Sequence, residues 1–262
     1  MNIAIIPARM NSSRFPGKPL FKIKGIPMIG HTLARTRLAK SFDDVYVATC
    51  DKEILEYVHS IGGNAVMTSS SHERASDRTA EAVSKIESEI GQEIKNVAMV
   101  QGDEPLVNPL DLENAISLLD NDNSLEIVNL MALINSKESF EDKNEVKVVL
   151  DSQNFALYFS REPIPSSWHS QEKIDLYKQL GLIFFKRSFL NIFNALPMAP
   201  LERSESVDML RVLENGYRVK MLLTNNDSIG VDNLNDASKA EKMLENDKLF
   251  PLYKNLLIPP SC

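Results

Sequence analysis

Short apolar runs and longer stretches with helical spacing alternate through the first half of this chain of 262 residues. Four runs rich in apolar or β-branched residues predict buried strands at Ile3–Ala8, Val45–Thr49, Ala65–Thr68 and Val97–Gln101. Apolar residues spaced three and four apart predict helices at Pro27–Ala39, Lys52–Ile61, Asp77–Ile90 and Pro109–Leu119. This alternation predicts an α/β fold with a doubly wound, mostly parallel sheet that binds ligands at the carboxyl ends of its strands.

The pattern changes near residue 125, where strand-like runs follow one another with little helical spacing between them. These runs are Ile127–Ile134, Val146–Asp151, Phe155–Phe159 and Leu180–Phe185, and a turn at Asp151–Asn154 predicts a hairpin. Later segments predict helices at Ser188–Leu196, Glu202–Asn215 and Asn235–Leu244, and strands at Val219–Leu223 and Ile229–Val231. We therefore expect a single domain over residues 1–262, with a strand-rich insertion at approximately 127–215.

Composition and charge narrow the class of protein. The net charge of −7 argues against a general nucleic-acid binder, which needs a basic surface. Because no apolar run reaches the length of a membrane span and no signal-peptide pattern opens the chain, we expect no membrane partner. Two cysteines, Cys50 and Cys262, make no disulfide framework and favour a cytoplasmic location.

The loop after the first predicted strand is cationic. Arg9, Arg14 and Lys18 leave the end of that strand on a segment interrupted by a Pro-Gly pair, and no acidic residue precedes Asp43. A stiff cationic loop at a strand end suits a triphosphate, whose oxygens need positively charged partners. Taken alone, the segment could equally be a solvated basic loop.

Two aspartates follow predicted strands further along the chain. Asp103 lies in a Gln-Gly-Asp-Glu-Pro sequence, and Asp232 directly follows Val231. Carboxylates in such positions can hold Mg²⁺ between the phosphates of a nucleotide, although the segment around Asp103 would also make an ordinary turn. Together with the cationic loop they predict metal-assisted attack on a phosphate.

Other polar residues have both a structural and a functional interpretation. Ser76 is a predicted N-cap with Asp77 in the first helical turn, but capping does not explain Arg78. Arg161 ends a predicted strand and would either clamp a carboxylate or lie exposed. Four charged residues recur at three-residue intervals and predict a helical face that is solvated or lines a cleft: Glu202, Glu205, Asp208 and Arg211.

Taken in order, these segments resemble the cytidylyltransferases that activate 3-deoxy-manno-octulosonate (Kdo) as a CMP-sugar for lipopolysaccharide. The matching stretches are Ile6–Arg9, Ser13–Leu20, Gln101–Pro105, Val146–Asp151, Ala156–Arg161, Leu210–Leu213 and Gly230–Asp232. The resemblance implies a nucleotide-diphospho-sugar-transferase-like fold, CTP and a 2-keto-3-deoxy sugar acid as substrates, Mg²⁺ as cofactor, and a homodimer built largely on the insertion. It also implies that the anomeric hydroxyl attacks the α-phosphate of CTP in line and that pyrophosphate leaves.

The resemblance further implies a role for individual residues. It implies that the nucleotide is bound by Pro7, Ala8, Arg9, Arg14, Lys18 and Ser76. It implies catalytic roles for Lys18, Arg14 and Asp103, and binding of magnesium by Asp103 and Asp232. It implies that the sugar is bound by Gln101, Arg78, Arg161, Gln179, Glu205 and Asp208.

Three departures from the family's pattern fall on the expected sugar side. Arg74–Arg78 replaces the usual Ser-Gly-Thr-Glu-Arg, Gln179–Phe185 replaces His-Leu-Gly-Ile-Tyr-Gly-Tyr, and Asp208 replaces a common glutamate. Losing a histidine and two tyrosines removes polar partners for sugar oxygens, so we expect CTP activation to be retained with an altered sugar pocket. The open alternatives are 8-amino-3,8-dideoxy-manno-octulosonate as substrate, a nonulosonate (sialic-acid-like) cytidylyltransferase, and an inactive nucleotide-binding regulator.

Overall fold

The structure is a computed structural model that describes residues 1–11, 15–166, 168–169, 174–226 and 229–257. The chain divides into two compact units. Unit 1 comprises Met1–Ser117 and Asn226–Cys262, and unit 2 comprises Leu118–Asn225. The strand-rich segment predicted at approximately 127–215 therefore lies within unit 2.

Unit 1 begins with the alternation of strands and helices that the sequence predicts. The elements up to residue 121 are β1 (Asn2–Ala8), β2 (Lys22–Ile23), β3 (Ile26–Pro27), α1 (Met28–Arg37), β4 (Asp44–Thr49), α2 (Lys52–Ser60), β5 (Asn64–Met67), α3 (Ala75–Ile90), β6 (Asn96–Val100) and α4 (Pro109–Asn121). Residues 118–121 at the end of α4 belong to unit 2. Four of these strands pair in parallel in the order β5, β4, β1, β6. The small antiparallel pair of β2 and β3 was not predicted.

Burial on both faces explains why β1 is apolar from Ile3 to Ala8. Neighbouring residues of a strand point to opposite faces, and Ile3 and Ala4 of β1 are both fully buried. A strand covered on both faces reads as a continuous apolar run, which is the pattern seen here. Since the strands are parallel, their carboxyl ends lie at one edge, and the loops that follow β1 and β6 begin there.

Unit 2 contains the strand-rich segment and three helices after it. Its elements are β7 (Ile127–Leu133), α5 (Lys137–Glu141), β8 (Lys147–Leu150), β9 (Ala156–Ser160), β10 (Tyr177–Lys186), α6 (Arg187–Ala195), α7 (Pro200–Glu205), α8 (Met209–Glu214) and β11 (Lys220–Leu223). β10 is antiparallel to β7 and β8, and β11 is parallel to β7. The hairpin predicted at Asp151–Asn154 is confirmed, since β8 and β9 pair in antiparallel around it.

The single helix predicted at Glu202–Asn215 is wrong, because the chain breaks there into α7 and α8. Ser206 takes a left-handed conformation with φ of 53° between the two helices. The break frees backbone carbonyls of Glu205 and Ser206, which accept hydrogen bonds from the Arg161 guanidinium at 2.6 and 3.4 Å. Tertiary hydrogen bonds thus replace helical ones, and a local sequence pattern cannot predict these tertiary bonds.

The C-terminal part of unit 1 adds α9 (Leu234–Glu245) and α10 (Phe250–Tyr253). The strand predicted at Ile229–Val231 is wrong, since these residues belong to no strand. Val231 instead makes a backbone hydrogen bond of 2.9 Å to the carbonyl of Asp103. Within the described ranges, we find no helix with the length and apolar character needed to cross a bilayer.

Candidate active site

A cavity of about 320 Å³ opens in unit 1 where β1 and β6 end. Three segments line it: the end of β1 with the loop after it, the loop that leads into α3, and the end of β6. The predicted site residues among its lining are Pro7, Ala8, Arg9, Lys18, Arg78, Gln101 and Asp103. The structure therefore brings these seven predicted site residues to one cavity at the strand ends.

Lys18 joins the two predicted strand-end aspartates. Its Nζ lies 2.6 Å from Oδ2 of Asp103 and 3.1 Å from Oδ1 of Asp232, and only 12% of the side chain is exposed. Burial disfavours the charge on Lys18, but the two carboxylates outweigh that effect and raise its pKa. Gly17, with φ of 73°, allows the tight turn that directs Lys18 inward.

The backbone holds both aspartates in register. Besides the bond from Val231 to the carbonyl of Asp103, the amide of Asp232 donates to the carboxylate of Asp236 at 3.2 Å. Asn233 caps α9 by accepting from the amides of residues 235 and 236. The start of α9 therefore fixes Asp232 next to the end of β6.

The donor set of Asp103 and Asp232 suits Mg²⁺ when a nucleotide completes it. Magnesium in nucleotide sites is commonly held by one or two carboxylates together with substrate phosphates, rather than by an all-protein cage. Among the described residues, no group of three or more histidine, cysteine, aspartate or glutamate side chains could enclose a metal ion. The residues present thus fit a metal that is shared with a triphosphate.

Gly102 allows the two strand ends to lie close together. A Cβ atom at this position would lie 3.0 Å from the carbonyl oxygen of Pro7 and 3.4 Å from Cβ of Ala8. Any side chain would therefore press on the end of β1. The glycine between Gln101 and Asp103 is needed for this close approach.

The cationic loop is described only in part. Arg9 donates through Nη1 to the backbone carbonyl of His72 at 3.3 Å, and its side chain is exposed. Arg14, predicted to bind the triphosphate, lies outside the described residues. Its role stays a prediction of the family resemblance.

The predicted N-cap role of Ser76 is wrong. The helix α3 begins at Ala75, so Ser76 falls in its first turn, and no side chain caps the helix. The hydroxyl of Ser76 is buried and has no hydrogen-bond partner among the residues described. Asp77 does lie in the first turn, as predicted.

Arg78, one turn into the same helix, lines the cavity and is only partly satisfied. Its Nη1 bonds to the hydroxyl of Thr68, whereas its buried Nη2 has no partner within the described part of the chain. The hydroxyl of Thr79 is also buried and has no hydrogen-bond partner among the described residues. The beginning of α3 therefore carries buried polar atoms next to the cavity, which is unusual unless a ligand uses them.

Glu81 was not singled out from the sequence, yet it organises the loop before α3. It bonds to Nε2 of His72, accepts from the amide of Ser69 at 2.9 Å and pairs with Lys85 at 2.7 Å. Burial alone would raise the pKa of Glu81, but these hydrogen bonds outweigh it and lower the pKa to about 2. The four-residue spacing of Glu81 and Lys85 was the available signal, and it indicated only a surface pair.

In unit 2 the structure brings Arg161 and Glu205 together. The Glu205 carboxylate accepts from the amide of Arg161 at 2.8 Å and from the Ser160 hydroxyl at 3.0 Å. The Arg161 guanidinium donates to the backbone carbonyls of Glu205 and Lys143 at 2.6 and 2.8 Å. These two residues form a hydrogen-bonded polar corner after β9.

The charged face predicted along one helix is not formed. Glu202 and Arg211 make a buried ion pair of 2.6 Å, while Glu205 faces Arg161 and Asp208 precedes α8. The solvated-face interpretation is therefore wrong for Glu202 and Arg211. The guanidinium of Arg211 also lies over a phenylalanine ring.

Gln179, a predicted sugar-binding residue, lies on β10. Its Nε2 donates to Oδ1 of Asn129 at 2.6 Å.

Comparison with known proteins places these observations in a family. The profile of a family described as Cytidylyltransferase matches residues 3–223. A relative from Thermodesulfovibrio yellowstonii, named 3-deoxy-manno-octulosonate cytidylyltransferase, is 43% identical over 93% of this chain and 98% of its own length. A relative from Shewanella baltica, named 8-amino-3,8-dideoxy-manno-octulosonate cytidylyltransferase, is 40% identical over 94% of this chain and its whole length.

Solved structures agree with these relatives. A structure described as CMP:2-keto-3-deoxy-manno-octonic acid synthetase complexed with CTP matches with a TM-score of 0.85 and 33% identity, over 93% of this chain and 98% of that one. A putative glucose-1-phosphate thymidylyltransferase from Bacillus anthracis matches with a TM-score of 0.66 at 13% identity, over 95% and 97% of the two chains, and supports the fold alone. The predicted nucleotide-diphospho-sugar-transferase-like α/β fold is thereby confirmed. This chain belongs to the cytidylyltransferase family, within the group of the 3-deoxy-manno-octulosonate cytidylyltransferases.

Proposed function

We propose that this chain couples CTP to a 3-deoxy-manno-octulosonate-type sugar acid, giving the CMP-sugar and pyrophosphate for lipopolysaccharide biosynthesis. The observation that carries the proposal is the contact of Lys18 with Asp103 and Asp232 beside the cavity of unit 1. A nucleotide triphosphate needs both a cation for its phosphate oxygens and carboxylates for its metal. These three side chains supply both.

The nucleotide half of the site is built on β1 and α3. Pro7 and Ala8 offer an apolar surface for the cytosine, and Arg9, Arg14 and Lys18 bind the triphosphate oxygens. The buried Ser76 hydroxyl and the buried Nη2 of Arg78 are polar groups suited to the polar edge of the base. Because Arg78 lies two residues after Ser76 at the beginning of α3 and also has a buried polar atom without a partner among the described residues, we assign it with Ser76 to the nucleotide rather than to the sugar.

Asp103 and Asp232 would hold magnesium. When bound, the ion neutralises charge on the phosphates and makes the α-phosphate more open to attack. The remaining work is positioning by the chain's own residues: Lys18 holds phosphate oxygens, and the backbone around Gly102 and Val231 keeps the two carboxylates side by side.

The reaction needs no side-chain nucleophile. The anomeric hydroxyl of the sugar forms a bond to the α-phosphorus of CTP and releases its proton to the solvent. The bond from that phosphorus to the bridging oxygen breaks, and pyrophosphate leaves with the electron pair of this bond. Charge neutralisation and orientation account for most of the acceleration in such transfers. This agrees with a cavity rich in cations and carboxylates.

Two sugar-acid acceptors are supported by the names of relatives. One relative is named as a cytidylyltransferase of 3-deoxy-manno-octulosonate, and another as a cytidylyltransferase of its 8-amino derivative. We assign Gln101, Arg161, Gln179, Glu205 and Asp208 to the sugar side. The magnesium dependence, the homodimer and the cytoplasmic location complete the proposal. The homodimer derives from the family resemblance, the magnesium dependence from the resemblance and the two strand-end aspartates, and the location from the absence of a disulfide framework.

Pyrophosphate release tests the proposal directly. The purified chain is mixed with Mg²⁺ and CTP, and each of three acceptors is added: 3-deoxy-manno-octulosonate, its 8-amino derivative, or a nonulosonate. Release with an octulosonate and CTP, but not with UTP or ATP, is the expected result. Turnover of the nonulosonate alone would change the acceptor, and CTP binding without any pyrophosphate would indicate the regulator.

A further inference from the structure

Strand β10 bulges where it faces β7, and a buried asparagine lies at the bulge. Gln179 pairs with Met131 and Ile183 pairs with Asn129, so four residue steps on β10 face two on β7. Asn129 is fully buried. Bulges of this kind redirect side chains and frequently lie beside functional sites.

The surroundings of Asn129 allow one orientation of its carboxamide. Its Nδ2 donates to the backbone carbonyls of Leu180 and Leu182 at 2.8 and 3.0 Å, with a longer contact of 3.2 Å to that of Leu130. Carbonyl oxygens only accept hydrogen bonds, so the opposite orientation would place the oxygen of Asn129 against three acceptors. Oδ1 of Asn129 must therefore face away from the bulge.

This orientation determines that of Gln179. Oδ1 of Asn129 lies 2.6 Å from the Gln179 side chain and can only accept, so Gln179 must present Nε2 to it. The other end of the carboxamide, Oε1, has no hydrogen-bond donor among the described residues, and the side chain is partly exposed. The bulge thus fixes Gln179 with an acceptor as its outward atom.

We propose that Asn129 is a positioning residue, which locks Gln179 so that it presents only a hydrogen-bond acceptor to the sugar acid. The inference rests on the proposed function and deepens it. It predicts that Gln179 reads a donor on the substrate, namely a hydroxyl or a protonated amine, and disfavours a group that only accepts. Selection by a single polar contact of this kind can be large, because a mismatched partner leaves a buried polar group unpaired.

The first test removes the acceptor. Gln179→Leu is compared with the wild type by pyrophosphate release, titrating the sugar acid at saturating CTP and then CTP at saturating sugar. We expect the sugar KM to rise about 10-fold or more while the CTP KM is unchanged. Gln92→Leu, the same change at an exposed position of unit 1, is the matched control. An unchanged sugar KM in Gln179→Leu overturns the inference.

A double-mutant cycle tests whether Asn129 acts through Gln179. Asn129→Ala should raise the sugar KM in the wild-type background and change it less than about 2-fold in the Gln179→Leu background. A merely structural role for Asn129 would give equal effects in both backgrounds, and that result would refute the positioning role. Circular dichroism and the thermal midpoint of each variant establish that it folds.

Gln179→Glu provides a second route if Asn129→Ala does not fold. The glutamate keeps outward oxygens but has no N–H for Oδ1 of Asn129, so it should raise the KM for unmodified octulosonate as strongly as Gln179→Leu does. A KM like that of the wild type would contradict the proposed lock. If the wild type releases no pyrophosphate with any sugar acid, the proposed function itself fails, whereas active wild type with unaffected variants removes this inference alone.

Discussion

Lys18 contacts carboxylates that lie 85 and 214 positions further along the chain. The sequence could predict this meeting only in outline, from the rule that strand ends share one edge of a parallel sheet. It could not predict that one ammonium would touch both carboxylates, because that depends on the backbone bond from Val231 to Asp103. The contact makes Lys18 the residue whose removal is most informative.

Lys18→Ala should damage triphosphate handling more than any other step. Without the ammonium, the phosphate oxygens lose a charged partner, and we expect the CTP KM to rise about 10-fold or more. Initial rates of pyrophosphate release at limiting CTP measure this. Lys22→Ala, at an exposed lysine nearby, is the control. Full activity of Lys18→Ala at limiting CTP would contradict the assignment of the loop.

Asp103→Asn and Asp232→Asn should each lower turnover about 100-fold or more, because an amide is a much poorer ligand for Mg²⁺ than a carboxylate. Neither side chain belongs to the apolar core, so the thermal midpoint should move by only a few degrees. Steady-state kinetics at saturating CTP and calorimetry provide the two measurements. Glu56→Gln, at an exposed carboxylate of α2, should change neither.

Lys147 is a second lysine whose role was hidden in the sequence, where it reads as the polar residue of a strand. It is fully buried, and its Nζ donates to the backbone carbonyls of Asp142, Glu145 and Arg161 at 2.8, 2.7 and 2.6 Å. Burial lowers the pKa of Lys147, although nearby carboxylates oppose this effect. The ammonium ties the loop after α5 to the polar corner at Arg161.

Lys147→Met should therefore destabilise the protein, because three backbone carbonyls lose the buried ammonium that donates to them. We expect a loss of roughly 2–4 kcal/mol in the free energy of unfolding, measured by urea denaturation. Lys143→Met removes an exposed lysine from the same region and should stay within about 0.5 kcal/mol of the wild type. Equal stability of Lys147→Met and Lys143→Met would show that the three contacts contribute nothing.

Among the elements, the parallel strands and their helices were predictable, and the irregular segments were not. The predicted strand Val45–Thr49 differs from β4 by one residue, and the predicted helix Lys52–Ile61 differs from α2 by one. These elements follow hydrophobic periodicity, which local sequence carries. The break between α7 and α8 depends on hydrogen bonds from Arg161, more than 40 residues earlier in the chain, and periodicity cannot report such contacts.

The left-handed Ser206 provides a test of this break. A residue with a Cβ is strained in that conformation and glycine is not, so Ser206→Gly should raise the free energy of unfolding by roughly 0.5–1 kcal/mol. The matched control is Ser204→Gly, inside α7, which should lower it by a similar amount. Chemical denaturation of both variants decides the matter. A destabilised Ser206→Gly would mean that the turn does not have this conformation.

At the scale of the whole molecule, the net negative charge and the local cationic loop together narrow the class of ligand. The net charge of −7 argues against a role as a general nucleic-acid binder, whereas the local cations favour a small anionic ligand. The sequence thus predicted the class of ligand and the fold. It did not predict the buried polar contacts that hold the molecule together, because these join segments distant in sequence.

One such contact makes global stability depend on pH. His31 of α1 is buried between the Tyr253 hydroxyl and the carbonyl of Ile23, at 2.9 and 2.8 Å. Burial lowers the pKa of His31 and outweighs the hydrogen bond to the Ile23 carbonyl, which raises it; Arg35 lowers the pKa further, and Asp247 opposes Arg35. As pH falls below about 6.5, this histidine becomes protonated in the unfolded chain but stays neutral in the folded chain. The contribution of the buried neutral His31 to the free energy of unfolding is therefore present above about pH 6.5 and lost as pH falls.

The thermal midpoint should thus decrease from pH 7 to pH 5, and the decrease should be smaller in His31→Gln. Glutamine does not titrate, yet it can still accept from Tyr253 and donate to Ile23. Differential scanning calorimetry across this range measures both slopes. His59→Gln, at an exposed histidine of α2, should keep the slope of the wild type. Parallel slopes in the wild type and His31→Gln would argue against a buried neutral imidazole.

The tight approach of Gly102 to Pro7 constrains how this protein could be redesigned for another nucleotide. Even a methyl group at position 102 would push the tip of β6 away from that of β1, and Asp103 would move with it. Attempts to accept a larger base must therefore leave this position untouched and make room at the first turn of α3. There, Ser76 and Arg78 belong to a helix of 16 residues, which is a different segment from the loops that carry Asp103 and Asp232.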